Sequence, residues 1–247
     1  MVRPGTVKRG NAELRKVQYA EMLLHEFREA LERQPTAYVP IGPLEWHGDH
    51  LPLGTDPLRA AHMCERLARE LGGIVLPVWY VSCRGYSSFE GTVVFRHETA
   101  VNATLELLAQ LEKVSFRAAV LLSAHGGNWQ KAFIEEVEAS YSGAMSVLGL
   151  FPRMATQRGD HAGTSETSEM LAARPDLVAL ERFQFPENPV RQYAIDPADL
   201  CPAETRPWIW KEDVRKTASS ALGRENHDRV VAYVARWLKE KGLLPEP

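Results

Sequence analysis

Leu24, Phe27 and Leu31 stand three and four positions apart among charged neighbours, a helical spacing. The apolar run 37–41 follows, bounded by Pro35 and Gly42, and reads as a strand. The alternation then recurs: a helix over 57–71, a strand over 74–81, a helix over 101–114, a Val- and Leu-rich strand over 118–123, a helix over 128–141 and a strand over 145–151. Strands that are apolar on both sides must be covered on both faces, so the pattern predicts an α/β fold with a mostly parallel central sheet between helices. The stretch 186–207 breaks the rhythm. It holds Pro186, Pro189, Pro197, Pro202 and Pro207, lacks periodicity, and predicts an ordered excursion or lid. Val230, Val234, Trp237 and Leu238 then make the stripe of a last helix.

A chain of 247 residues can bury one large core, and a single domain over 1–247 is expected. No run of about 18 apolar residues is present to span a bilayer, which excludes a membrane role. Residues 1–10 carry Arg3, Lys8 and Arg9 without an apolar segment behind them, unlike a secretory signal. Cys64, Cys83 and Cys201 are scattered, with no C-x-x-C spacing, which argues against a disulfide framework and a thiolate zinc site and points to a reducing cytoplasm. The formal charge of -3 and the lack of a basic stripe give no footprint for nucleic acid. A small-molecule partner is expected instead.

Three polar clusters follow predicted strands, where open α/β sheets place their ligand crevice. The first, 42–56, packs Glu45, His47, Asp49, His50 and Asp56 among glycines. Glu45 and His47 are two apart, so in an extended segment they share a side and reach one cation or two adjacent ones. Carboxylate and imidazole ligands suit Zn, Mn or Fe. Asp56 precedes Pro57 at a helix start and reads either as an N-cap or as a bridging ligand. Asp49 and His50 read as groups that orient a ligand or as polar loop residues. The second cluster is Ser123-Ala124-His125-Gly126-Gly127-Asn128, a histidine at a strand-to-helix junction or a plain turn. The third, 160–169, holds His161, a candidate general acid or base, and Glu166, a candidate ligand or a helix-capping carboxylate. His25, His62 and His227 sit among charged residues in predicted helices and are expected to be solvated; His97 stands in a loop with no assigned role.

Together these clusters resemble the creatininase (creatinine amidohydrolase) family. The resemblance rests on Glu45-Trp46-His47-Gly48-Asp49-His50-Leu51-Pro52-Leu53-Gly54-Thr55-Asp56, on His125-Gly126-Gly127-Asn128, on His161-Ala162-Gly163 with Glu166-Thr167-Ser168, and on a compatible Phe89-Glu90-Gly91-Thr92 loop. It implies a three-layer α/β/α fold, a homo-oligomer (commonly a hexamer) and two divalent metal ions per chain. By the same resemblance Glu45 and His125 hold one ion, His47 the other, Asp56 bridges and Glu166 completes the second set. Creatinine-hydrolysing members place a glutamate two residues after the histidine matching His125, where this chain has Gly127. Glu166 then substitutes, and creatinine itself is disfavoured as substrate. Ser123-Ala124 and Glu90 also depart from the usual Asn-Gly and Pro.

The function expected from the resemblance is hydrolysis of a cyclic amide, formamide or related C–N bond by metal-activated water, with His161 passing a proton to the leaving group. A ring-opening hydrolase or lactonase acting on a cyclic keto-sugar is the rival enzyme. A non-catalytic metal- or small-molecule-binding module is the rival outside enzymes, and His161, Trp208 and Trp210 would be superfluous to it.

Overall fold

The computed structural model describes residues 16–83, 88–151, 161–192 and 207–244. The elements in chain order are α1 (Leu24–Arg33), β1 (Thr36–Ile41), α2 (Thr55–Leu71), β2 (Ile74–Val75), α3 (His97–Lys113), β3 (Ala118–Ser123), α4 (Asn128–Ser140), β4 (Ser146–Leu150) and α5 (Thr164–Ala173). They are followed by β5 (Glu187–Asn188), β6 (Trp208–Ile209), α6 (Val214–Thr217) and α7 (Ser220–Glu240). Strands β2, β1, β3 and β4 lie in that spatial order and pair in parallel throughout, whereas β5 and β6 form a separate antiparallel pair.

The alternation of side chains along the central strands makes the three layers. Ala37, Val39 and Ile41 of β1, with Ala119 and Leu121 of β3, pack on Leu108 and Leu111 of α3, Phe133 and Ile134 of α4, and Ala30 of α1. Tyr38 of β1, with Val120 and Leu122 of β3, points the other way onto Met63, Cys64 and Leu67 of α2 and onto Val230, Val234 and Leu238 of α7. Every residue of β1 and β3 is buried, as a sheet covered on both faces requires. Among the described residues no helix is long and apolar enough to cross a membrane.

The predicted strand over 74–81 forms a ladder only at Ile74–Val75. Pro77 has no N–H to donate, so regular pairing stops. The segment still tracks β1, because Leu76 N–H donates to the Tyr38 oxygen at 2.9 Å and Trp79 N–H to the Pro40 oxygen at 2.8 Å. Helix α3 starts at His97, ahead of the predicted 101; its buried stripe begins at Ala100 and Val101, and the turn before them is polar. Of the excursion 186–207, residues 186–192 and 207 are described; the rest, with Cys201, lies outside the described residues.

A third apolar cluster sits at the carboxyl ends of the strands. It joins Trp46 and Leu51 from the β1–α2 loop, Met170 from α5, Phe183, Val190, and Trp210 beside β6. This cluster roofs the place where β1, β3 and α5 deliver their polar side chains.

Candidate metal centre

Strand β1 ends at Ile41, and Gly42 follows it directly against helix α2: a Cβ built there would stand 2.7 Å from the Pro57 nitrogen and 2.8 Å from the Asp56 Cβ. Glycine therefore lets the first turn of α2 reach the strand end. Gly54, not Asp56, is the N-cap of that helix. Asp56 is a fully buried first-turn residue whose carboxylate faces the site, so it does not cap the helix. The loop between them bends back so that Glu45 N–H donates to the Leu53 oxygen at 2.8 Å and Trp46 N–H to Thr92 Oγ1 at 3.1 Å. Glu45 and His47 both end fully buried.

The structure brings all six sequence-predicted site residues together. His125 Nδ1 lies 3.2 Å from Glu45 Oε2 and 3.2 Å from Asp56 Oδ2. His47 Nε2 lies 3.6 Å from Asp56 Oδ1 and 3.4 Å from Glu166 Oε2. His161 Nδ1 lies 3.7 Å from Glu45 Oε2, and its ring centroid is 4.5 Å from that of His47. Three groups have their ligand-type atoms within 4.8 Å of one another: Glu45, Asp56 and His125; His47, Asp56 and Glu166; and Glu45, His47 and His161.

The donor chemistry fits divalent cations. His47 Nδ1 is 3.0 Å from the Glu45 main-chain oxygen, which assigns its hydrogen to that nitrogen and leaves a lone pair on Nε2. That Nε2 is buried, has no hydrogen-bond partner and faces two carboxylates. Burial pushes the Asp56 carboxyl up, but the charges of His47 and His125 hold it well below its ordinary value. Burial likewise works against protonation of His47 and His125, and the adjacent carboxylates carry both well above the usual imidazole range. Glu45 is lowered by His125 and His161 against the effect of burial. A divalent cation among the carboxylates of Glu45, Asp56 and Glu166 would take the place of the imidazole protons that face them.

Glu166 stands in the first turn of α5 with its carboxylate between the helix start and His47. Its Oε2 accepts the Ala162 N–H at 2.7 Å, the reach-back of a capping residue at the start of α5, and the same oxygen faces His47. Burial raises its pKa, yet the Arg59 guanidinium and His47 bring it down to about 2. His161 donates from Nε2 to the Trp46 oxygen at 2.7 Å, which turns Nδ1 toward Glu45. Burial and the nearby His47 charge hold its pKa below the ordinary value. Around it stand aromatic rings: Trp46 stacks at 5.8 Å between centroids, and Trp208 meets it edge-on at 5.4 Å. Phe89 packs edge-on to Trp46 at 5.3 Å.

Other candidates take structural places. His50 Nε2 lies 3.1 Å from Thr167 Oγ1, and Asp49 Oδ2 accepts from Gln184 Nε2 at 2.8 Å, so both tie the loop to its surroundings. His97 pairs with Glu136 at 2.7 Å. His227, expected to be solvated, is 3% exposed. It lies one turn before Val230 on the stripe that buries α7, beside His62 and near Arg59, and that shared stripe was the signal for its burial. Sequence reasoning also passed over Arg59 and Glu169, both buried beneath the site. The signal for Arg59 was its step of four before Met63 and Leu67, the apolar stripe of α2.

Parallel strands that converge on buried carboxylates and imidazoles define a metal-dependent hydrolase of the three-layer α/β/α class. Residues 20–238 match the creatininase family model, described as creatinine amidohydrolase. The creatinine amidohydrolase of Pseudomonas putida is 30% identical over 234 residues, covering 82% of this chain and 88% of that protein. The mycofactocin precursor peptide peptidase of Mycolicibacterium smegmatis is 31% identical over 161 residues, covering 60% and 62%. A solved manganese creatininase superposes with a TM-score of 0.73 at 24% identity over 93% of this chain and 99% of that one. A zinc–zinc creatininase variant gives 0.71 at 26% identity with the same coverage. This chain belongs to the creatininase family, and it is a metal-dependent amidohydrolase.

Proposed function

We propose that the chain hydrolyses a C–N bond of a cyclic amide, formamide or related small molecule, using two divalent ions, Zn, Mn or Fe. The observation that carries this reading is Asp56, shared between two groups of buried or half-buried ligand-type side chains, with Glu45 and His125 on one side and His47 and Glu166 on the other. Divalent ions held there supply Lewis acidity and lower the pKa of water toward neutrality. Glu45 and His125 would hold the first ion and His47 and Glu166 the second, with Asp56 offering an oxygen to each set. His161, neutral and committed to Trp46 through Nε2–H, takes a proton at Nδ1 from the attacking water and delivers it to the leaving nitrogen. Trp46, Phe89 and Trp208 exclude bulk water and offer flat faces to a planar ring.

Creatinine itself is disfavoured because Gly127 stands where creatinine-hydrolysing members, by the resemblance above, place a glutamate ligand. Amide cleavage is favoured over keto-sugar ring opening because the relatives named above are an amidohydrolase and a peptidase. A homo-oligomer working in a reducing cytoplasm completes the reading; Cys64 and Cys83 are buried free thiols, consistent with that compartment.

The test is metal content per chain by elemental analysis, on protein purified without chelator, for wild type and Glu45→Ala. Close to two equivalents, falling in the variant, is expected and licenses screening of cyclic amides, formamides and keto-sugars. A chain that takes up no metal after Mn or Zn supplementation sinks the reading, and turnover of keto-sugars alone replaces it with the ring-opening one.

A further inference from the structure

Arg59 carries a guanidinium that is only 3% exposed, on helix α2 one turn after Asp56. Its Nη1 lies 2.8 Å from Glu166 Oε1, 3.3 Å from Asp56 Oδ1 and 3.3 Å from the oxygen of Ala124, the residue immediately before His125. Its Nε and Nη2 donate to Glu169 Oε2 at 2.9 and 2.6 Å. Glu169 is held in turn by Asn226 of α7, whose Nδ2 donates to Oε1 at 3.0 Å. A plain buried ion pair would be satisfied by the fork onto Glu169. The remaining nitrogen is aimed instead at the three segments that carry Asp56, His125 and Glu166.

We propose that Arg59 is a positioning residue for the second ion: it holds Glu166 by Oε1 so that Oε2 faces His47, and it pins Asp56 so that its two oxygens divide between His47 and His125. The proposal rests on the two-ion reading above. Glu169 cancels the charge of Arg59, so the guanidinium can touch two ligands without adding net positive charge that would repel the cation. A lysine cannot do the same, because an ammonium is a point charge without a rigid fork spanning Glu169, Glu166, Asp56 and the Ala124 carbonyl.

Removing Arg59 alone would strand the Glu169 carboxylate, so the decisive variant is R59M/E169L, which removes the pair together and keeps apolar volume. Cobalt(II) binding is measured by equilibrium dialysis and by the visible absorption of the bound ion, on wild type, R59M/E169L and R59K, with circular dichroism to verify the fold. The expected result is two ions in wild type and a second ion bound about 10- to 100-fold more weakly in R59M/E169L, with an altered cobalt spectrum and partial rescue in R59K. Second-ion affinity and spectrum equal to wild type in R59M/E169L, or tighter binding, overturns the positioning role while leaving the two-ion reading intact. Failure of wild type to bind a second ion instead fells the two-ion reading, and the role of Arg59 with it. If R59M/E169L does not fold, R59K decides alone: weakened second-ion binding is expected, and wild-type binding overturns the proposal.

Discussion

His47 and His161 lie with their rings in contact, yet consecutive carbonyls give them complementary tautomers. The Glu45 oxygen takes the Nδ1 hydrogen of His47, and the Trp46 oxygen takes the Nε2 hydrogen of His161. In an extended segment successive carbonyls point to opposite sides, so residues 45 and 46 orient the two rings differently, which on the proposed mechanism would suit one to hold a cation and the other to accept a proton. On the proposed mechanism His161→Ala lowers turnover by about 10² to 10⁴ and leaves the metal content unchanged. Elemental analysis beside a rate measurement separates the roles, since loss of an ion in this variant would make His161 a ligand. Gly42 belongs to the same scale. Gly42→Ala pushes a methyl into the Asp56 backbone, and we expect the variant to lose both metal and activity while its far-ultraviolet dichroism stays native. Full metal content in that variant would show that the strand end can yield.

Between α2 and α7, His227 lies buried with its ring 5.1 Å from that of His62. Burial, and then the charges of His62 and Arg59, push its pKa from 6.5 down to about 3. The folded chain therefore refuses a proton that the unfolded chain accepts. This contribution to stability is complete above pH 6.5 and is lost as pH falls toward 3. From pH 7 to pH 5 the loss is about 2 kcal/mol. Urea unfolding of wild type and His227→Gln at both pH values should show the wild type losing about that much more stability than the variant. An equal loss in both would mean that the folded state takes up the proton at His227.

The same elements show what the sequence could and could not disclose. Strand β3 and helix α4 are legible almost to the residue, because their apolar runs and the Gly126-Gly127-Asn128 punctuation coincide with their ends. The ligand-type clusters are legible too, since few structural demands put three carboxylates and two imidazoles after one strand. Hidden were the facts that depend on a neighbouring element. The first three residues of α3, His97, Glu98 and Thr99, are polar, so periodicity is silent there. His227 looks solvated until α2 covers it, and Arg59 reads as a surface charge until Glu166 and Glu169 arrive from more than a hundred positions away.

For the whole molecule, the site is a clasp between layers: α2 and α5 supply Asp56 and Glu166, β3 leads to His125, and the loop from β1 brings Glu45 and His47. Cations bound only by the folded chain stabilise all of these at once. A cation present at a hundred times its dissociation constant adds about 2.7 kcal/mol. For a chain of this size that corresponds to a melting temperature about 5 to 10 °C higher with metal than after chelation, checked by thermal unfolding with and without added Mn or Zn. An unchanged midpoint would mean that the clasp is equally strong without the ions.

The proposed division of ligands around Asp56 would also set a sequence of events during synthesis. Glu45, Asp56 and His125 are all present once β3 has been made, whereas the set of His47, Asp56 and Glu166 waits for α5, and the Asn226 that steadies Glu169 waits for α7. On the proposed two-ion reading, a nascent chain leaving the ribosome would hold every residue of the first metal set before it holds those of the second, and the helix that would brace the second set follows both in the chain.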